Sequence, residues 1–265
     1  MILTIDVGNS VMTMGLYTPE GALRFRGSIK TDKNKTQDQI AIDLLDIFHL
    51  YQAEIRSVTG AVISSVVPPM TSAVAAAARQ LTGAEPMIVG PGMKTGMNII
   101  AETQNQLGSD IVASAVAALH RYPAPIIVIE IGTATTISYL SPNTFEGCVI
   151  FPGVRIAVEA LSGRAAALPH IALEEPAAPS ILGRSTIEAM RAGALYGNAG
   201  MLDSIIQRME EAAKPAATVV MTGAQAELIG RYCRREILYD KDLILDGLYV
   251  LYQKNSGLHD RRKKK

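Results

Sequence analysis

The chain has 265 residues, 48% of them hydrophobic and 19% charged, enough apolar material to bury one large core or two modest ones. Lys plus Arg and Asp plus Glu each number 25, so no net field draws the protein to nucleic acid or to a membrane surface, and an anionic ligand has to be captured locally. Cys148 and Cys233 are too few for a disulfide framework and lack the paired spacing of a zinc site.

Taken in chain order, residues 2–6 are apolar and β-prone, Gly8 turns the chain, and Met12–Tyr17 and Ala22–Ile29 read as two further strands joined by the turn Pro19-Glu-Gly21. Thr36 is placed to cap a helix through Tyr51, in which Ile40, Leu44, Leu45, Ile47 and Phe48 recur near helical spacing. Ala61–Val67 is a short apolar strand stopped by Pro68-Pro69, and the alanine-rich residues 71–82 favour a helix. Another helix is expected from about Asp110 through Val112–Leu119.

Tyr122-Pro-Ala-Pro125 interrupts the pattern, which places a lobe boundary there: residues 1–122 form one lobe and 123–265 the other. The second half opens like the first, with Ile126–Glu130 as a strand, a turn at Gly132, and strands near Thr135–Leu140 and Glu146–Ile150. A long helix is expected over Ser185–Glu211, then a strand Val219–Met221 ending in Thr222-Gly223, and a closing helix Leu243–Tyr252. The start lacks a signal-peptide pattern and no run reaches the roughly 18 apolar residues of a membrane helix, so a cytoplasmic protein is expected. The basic ending His259–Lys265 reads as a solvated tail.

One pattern occurs twice. Thr4-Ile-Asp-Val-Gly-Asn-Ser10 and Val128-Ile-Glu-Ile-Gly-Thr-Ala-Thr-Thr136 each run strand, acid, apolar residue, glycine, then small hydrogen-bonding side chains. The glycine lets a hairpin backbone approach a phosphate, and neighbouring N–H and hydroxyl groups can donate to its oxygens. An acid at a strand end can orient a hydrated magnesium ion between phosphates. Positioning and charge neutralisation of this kind are what phosphoryl transfer demands. Neither loop is a Walker motif, and no G-x-G-x-x-G opens a helix, so P-loop and Rossmann readings find no support.

Together with Gly90-Pro-Gly-Met-Lys-Thr-Gly96, Gly108-Ser-Asp110, Pro152-Gly153, Leu161–Pro169 and Leu243-Ile-Leu-Asp-Gly-Leu248, these loops resemble the type III pantothenate kinases in colinear order over nearly the whole chain. The resemblance implies an α/β, two-lobed actin/Hsp70/sugar-kinase fold, each lobe a mixed sheet flanked by helices. It implies a cytoplasmic homodimer that phosphorylates pantothenate with ATP, the first step of coenzyme A synthesis, with Mg2+ and a monovalent cation, K+ or NH4+. Carried over by position, Asp6, Val7, Gly8, Asn9 and Ser10 meet the phosphates, and Gly132, Thr133 and Gly223 shape the nucleotide site. Asp6 and Glu130 are the metal-side acids; Gly108, Ser109, Asp110 and Thr186 hold the substrate, and Asp110 is the general base.

Bland readings stand beside several of these. Asp110 at a helix start can cap backbone N–H groups, Thr186 can cap its own helix, and Lys94 can be an exposed loop lysine. His49, His120, His170 and His259 show no ligand spacing. The chain also departs from the family pattern. Ile111 stands where an arginine is usual and cannot make its charge-assisted contacts; Ala101 aligns with a tyrosine, Glu130 and Ser138 with aspartates, and Ala224 with a glycine. Two alternatives follow: a relative acting on another small hydroxylated acceptor, and a catalytically silent nucleotide-binding regulator.

Overall fold

A computed structural model describes residues 1–99, 107–176 and 179–263; Ala101 lies outside them. The chain divides into two compact units, residues 1–120 with 242–265, and residues 121–241.

The first unit begins with strands β1 (Ile2–Val7), β2 (Val11–Tyr17) and β3 (Leu23–Lys30), helix α1 (Gln37–Leu50), strand β4 (Gly60–Ser65), helix α2 (Pro68–Thr82) and the short strands β5 (Met87–Ile88) and β6 (Asn98–Ile99). The sheet order β3-β2-β1-β4-β5 puts β1 at the centre, antiparallel to β2 and parallel to β4. Alternation along β1 explains the layers. Leu3, Ile5 and Val7 enter a core with α1 and α2, while Ile2 joins a second core on the opposite face. That second core is made with helix α3 (Ser109–Arg121) and the C-terminal helix Leu243–Lys263.

Thr36 does cap α1, in a reciprocal box with Gln39. The prolines that stop β4 also open α2, at positions where a missing N–H costs no helical bond.

The second unit holds β7 (Ile126–Ile131), β8 (Ala134–Ser141), β9 (Thr144–Pro152), α4 (Val154–Arg164), α5 (Thr186–Ala192), α6 (Asn198–Ala212), β10 (Thr218–Gly223), α7 (Ala226–Gly230) and β11 (Leu238–Tyr239). Its strands run in the order β11-β10-β7-β8-β9. Ile127, Ile129, Ile131, Ile137 and Met221 form its core with side chains of α4, α6 and α7. The opposite face carries Glu130, Thr136, Ser138 and Thr222, all buried.

One expectation needs correction. The closing helix does not belong with residues 123–241: Leu245, Leu248 and Leu251 pack on Ile2, Tyr17 and Val62, and the Tyr17 hydroxyl donates to Asp246 at 2.7 Å. Helical periodicity identifies an apolar face but not the sheet it will cover. The long helix expected over Ser185–Glu211 is present from Thr186 to Ala212, with a π-helical turn, Gly193–Gly197, between α5 and α6. Among the described residues, no helix is long and apolar enough to cross a membrane.

Candidate active site

In the first unit the site starts at the β1–β2 hairpin. The Gly8 N–H donates to the Val11 carbonyl at 3.1 Å, and a Cβ on Gly8 would lie 3.0 Å from that oxygen, so the turn is tightest with glycine. Buried Thr31, just after β3, pins the loop from below: its hydroxyl donates to the Gly8 carbonyl at 2.7 Å and its N–H to the Ser10 carbonyl at 3.0 Å. Asn9 stays exposed at the tip, where its amide oxygen accepts from Lys33 at 3.4 Å.

Asp6 lies directly below this turn. Its neighbour across the parallel pairing is Ser64, whose hydroxyl favours the charged form of the carboxylate. Its Oδ1 is buried without a partner. Burial, with the Asp110 charge adding to it and Ser64 opposing, pushes the Asp6 carboxyl up to about 7. Asp110 sits in the first turn of α3, and its Oδ1 accepts from the Ile111 N–H at 2.9 Å. Burial raises its affinity for a proton too, against that hydrogen bond. A side chain at Gly108 would collide with the Asp110 carboxylate, so the glycine is needed for the acid to fold back over the helix start. The capping reading of Asp110 therefore holds in part: one oxygen serves the backbone.

Ser109 is turned inward. Its Oγ lies 2.9 Å from the Ser64 Oγ and accepts the Ser65 N–H at 2.9 Å, so its hydroxyl is committed inside the unit. Ile111 is buried at 6% exposure, packed as an ordinary apolar helix residue. Lys94 is exposed, and its backbone is held on both sides by Asn255, which accepts from the N–H and donates to the carbonyl, each at 3.0 Å.

In the second unit Gly132 and Thr133 form the β7–β8 turn, closed by the Gly132 N–H on the Ala134 carbonyl at 2.9 Å. Two further glycines crowd it. Gly153, at the start of α4, donates to the Thr133 carbonyl at 3.0 Å, and a Cβ there would strike the Gly132 carbonyl. Gly223, at φ +110°, closes on the backbone of Ile131 in the same way. Ala224 needs no glycine: its φ is negative, and its N–H donates to the Ile131 carbonyl at 3.2 Å.

Glu130, one residue before Ile131, faces Thr136 and Thr222 across the sheet and is 8% exposed. Its charge reaches Cys148 on β9: burial first, then Glu130, raise that thiol. The hydroxyls of Thr136 and Ser138, on the same face, are buried without partners.

Thr186 opens α5 and is exposed, but it is not the cap. Ser185 fills that role in a capping box with Glu188, leaving the Thr186 hydroxyl to line an open groove of about 590 Å³ with Leu168 and Pro169. His49, His120 and His170 are exposed.

Each unit thus gathers its own expected residues: Asp6 to Ser10 with Gly108 to Asp110 in the first, and Gly132, Thr133 and Gly223 in the second. Ser64 and Thr31 are neighbours of these residues that motif reading missed. Both stand at the same end of the sheet as the Gly8 turn, and proximity to that end was the available signal.

The residues suit magnesium. Among the described residues no cluster of three or more His, Cys, Asp or Glu side chains exists. Magnesium, however, is commonly held through one or two carboxylates plus substrate phosphates, and Asp6 offers a carboxylate oxygen with no protein partner.

Two mixed sheets flanked by helices, each with a glycine hairpin at one end, define the actin, Hsp70 and sugar-kinase fold. Solved structures bear this out. A Campylobacter jejuni protein proposed as a Baf family transcriptional activator matches with TM-score 0.58 at 18% identity, over 96% of this chain and 99% of its own. A protein from Sinorhizobium meliloti proposed as a 2-dehydro-3-deoxygalactonokinase gives 0.58 at 12%, over 96% of each chain. The activator of 2-hydroxyisocaproyl-CoA dehydratase from Clostridium difficile, solved with bound ADPNP, gives 0.55 at 12%, over 100% and 98%. Residues 2–208 match the model of the type III pantothenate kinase family, and the chain belongs to that family.

Proposed function

We propose that this protein transfers the γ-phosphoryl group of ATP to the hydroxyl of pantothenate, as a homodimer, with Mg2+ and with K+ or NH4+ at Glu130. The observation that carries the reading is the half-buried pair Asp6 and Asp110 beside the Gly8 turn, in a chain that matches the family model from residue 2 to 208.

The chemistry follows from the two acids. Asp110 is the general base. A buried carboxylate near a second one holds a proton more tightly than an exposed one, which makes it a better acceptor for the substrate hydroxyl proton at neutral pH. Asp6, through Oδ1, holds the magnesium ion that neutralises phosphate charge when bound. The Gly8 to Ser10 turn meets phosphate oxygens, as does the Gly132–Thr133 turn of the second unit; Gly223 shapes the nucleotide site, and Thr186 contacts the acceptor. Apolar side chains left exposed on the second unit, among them Ile150, Leu161, Ile181 and Leu182, are compatible with dimerisation.

A second reading is favoured by one observation. The first turn of α3 presents no cation beside Asp110, since Ile111 is buried, so an acceptor without a carboxylate fits as well. ADP release should be measured with MgATP in K+, NH4+ and Na+ buffers, with pantothenate and with its neutral alcohol and amide analogues. Pantothenate-dependent turnover that falls about 10²- to 10⁴-fold in Asp110→Asn supports the first reading. Turnover only with neutral analogues supports the second, and nucleotide binding without turnover on any acceptor supports a silent regulator.

A further inference from the structure

The Asp6 and Asp110 carboxylates stand on different elements, β1 and α3, and a hydroxyl pair joins α3 to β4, the strand beside β1. Ser64, fully buried, is the β4 residue in register with Asp6; Ser109, the first residue of α3, is joined to Ser64 at 2.9 Å. Either hydroxyl can donate in that bond, and Ser64 itself stands beside Asp6 across the β1–β4 pairing. The Ser109 oxygen in turn accepts the Ser65 N–H at 2.9 Å. Both bonds tie the start of α3 to the end of β4, one residue before Asp110.

We propose that Ser109 is a positioning residue for phosphoryl transfer, its side chain setting the separation of the Asp6 and Asp110 carboxylates through Ser64 and the Ser65 backbone. This rests on the kinase reading above. Two carboxylates that repel each other drift apart unless their supports are fixed, and a misplacement of about 1 Å at a reacting group costs on the order of 10²-fold in rate. Gly108 gives the chain preceding Ser109 no side chain of its own to pack, and the α3 backbone bond from Val112 N–H to the Gly108 carbonyl, 3.1 Å, starts one residue earlier. Asp110 serves the adjacent Ile111 N–H, so the side-chain tie from the helix start to β4 comes from Ser109.

Steady-state kinetics of Ser109→Ala, Ser109→Thr, Ser64→Ala and the double alanine variant test the assignment, alongside crystal structures of the wild type and Ser109→Ala. Expected are a kcat loss of about 10- to 100-fold in Ser109→Ala with KM for ATP nearly unchanged, and recovery to near wild type in Ser109→Thr, which keeps the hydroxyl. The double variant should be no worse than the worse single one, because the two act as a unit. Unchanged kcat, a loss confined to KM, or no recovery in Ser109→Thr would overturn the proposal. Should the wild type turn over no acceptor, the kinase reading fails on its own. The crystal structures then decide: an Asp6–Asp110 separation equal in both forms rejects a positioning role, and a widened one upholds it. If Ser109→Ala does not fold, Ser64→Ala carries the same two measurements.

Discussion

Gly247 of the C-terminal helix and Ala113 of α3 meet backbone to backbone: a Cβ on Gly247 would fall inside the contact radius of the Ala113 carbonyl oxygen. The helix that closes the chain thereby presses on the helix that carries Asp110. Glycine within a helix is intrinsically unfavourable by about 1 kcal/mol relative to alanine, so its presence here marks a steric requirement that outweighs propensity.

Gly247→Ala should therefore destabilise the protein, by about 1–3 kcal/mol as overpacking does, although alanine is the better helix former. Urea unfolding measures this. Because α3 must shift to make room, turnover should fall more than the fraction unfolded accounts for. A neutral or stabilising effect would mean that the two helices separate without consequence.

Asp6 predicts an unusual pH dependence. Its folded carboxyl is pushed up to about 7 from 3.8, so between those values the unfolded chain has released a proton that the folded one retains. Stability of the magnesium-free protein should fall as pH rises from about 4 to 7 and then level off, by at most about 4 kcal/mol from this group. Asp6→Asn removes the slope and raises the melting temperature at pH 8, while abolishing turnover. Magnesium with nucleotide should restore stability to the wild type at pH 8 and not to Asp6→Asn. A flat profile in the wild type would show that Asp6 ionises normally.

The parts of the site legible in the sequence are those that local chemistry fixes. Asp6, Gly8, Gly132 and Thr133 could be read because a strand, an acid and a glycine turn lie within seven residues, and the turn is made by those residues themselves. Thr36 as the α1 cap is of the same kind. Contacts between distant segments were not legible. Ser64 meets Ser109 across 45 residues, and nothing in either neighbourhood announces the other. The C-terminal helix joins the first unit because Leu245, Leu248 and Leu251 find an uncovered face beside Ile2 and Val62, a choice that an amphipathic pattern leaves open. Thr186 was legible as a helix-start residue but not as N1 after a Ser185 cap, which needed the pairing of Ser185 with Glu188.

Gly223 and Ala224 should respond oppositely to exchange. Gly223 has φ +110° and closes on the Ile131 backbone, so Gly223→Ala combines backbone strain of about 1–3 kcal/mol with a steric clash. It should lower the melting temperature and weaken nucleotide binding together. Ala224→Gly restores the family glycine at a position whose φ is already negative. It should cost up to about 1 kcal/mol through the added freedom of the unfolded chain and leave nucleotide affinity unchanged. Isothermal titration with MgADP and thermal melts on both variants make the comparison.

Cys148 offers a direct probe of Glu130. Burial and then the Glu130 charge raise its thiol above the ordinary range, while burial, with Asp203 adding to it, pushes Cys233 up to about 12. Since the thiolate is the reactive form, iodoacetamide at pH 8 should leave Cys233 unmodified in the folded protein and label Cys148 slowly; both react in urea. Glu130→Gln removes the nearby negative charge and should speed Cys148 labelling several-fold. A monovalent cation bound by Glu130 neutralises the same charge, so K+ or NH4+ should accelerate labelling of the wild type where Na+ does not, and should have no effect on Glu130→Gln. Labelling that responds to Glu130→Gln but is indifferent to K+ and NH4+ would remove the monovalent cation from Glu130 and leave the carboxylate as a structural acid on the sheet face. Indifference to both changes would show that Glu130 does not govern the thiol at all.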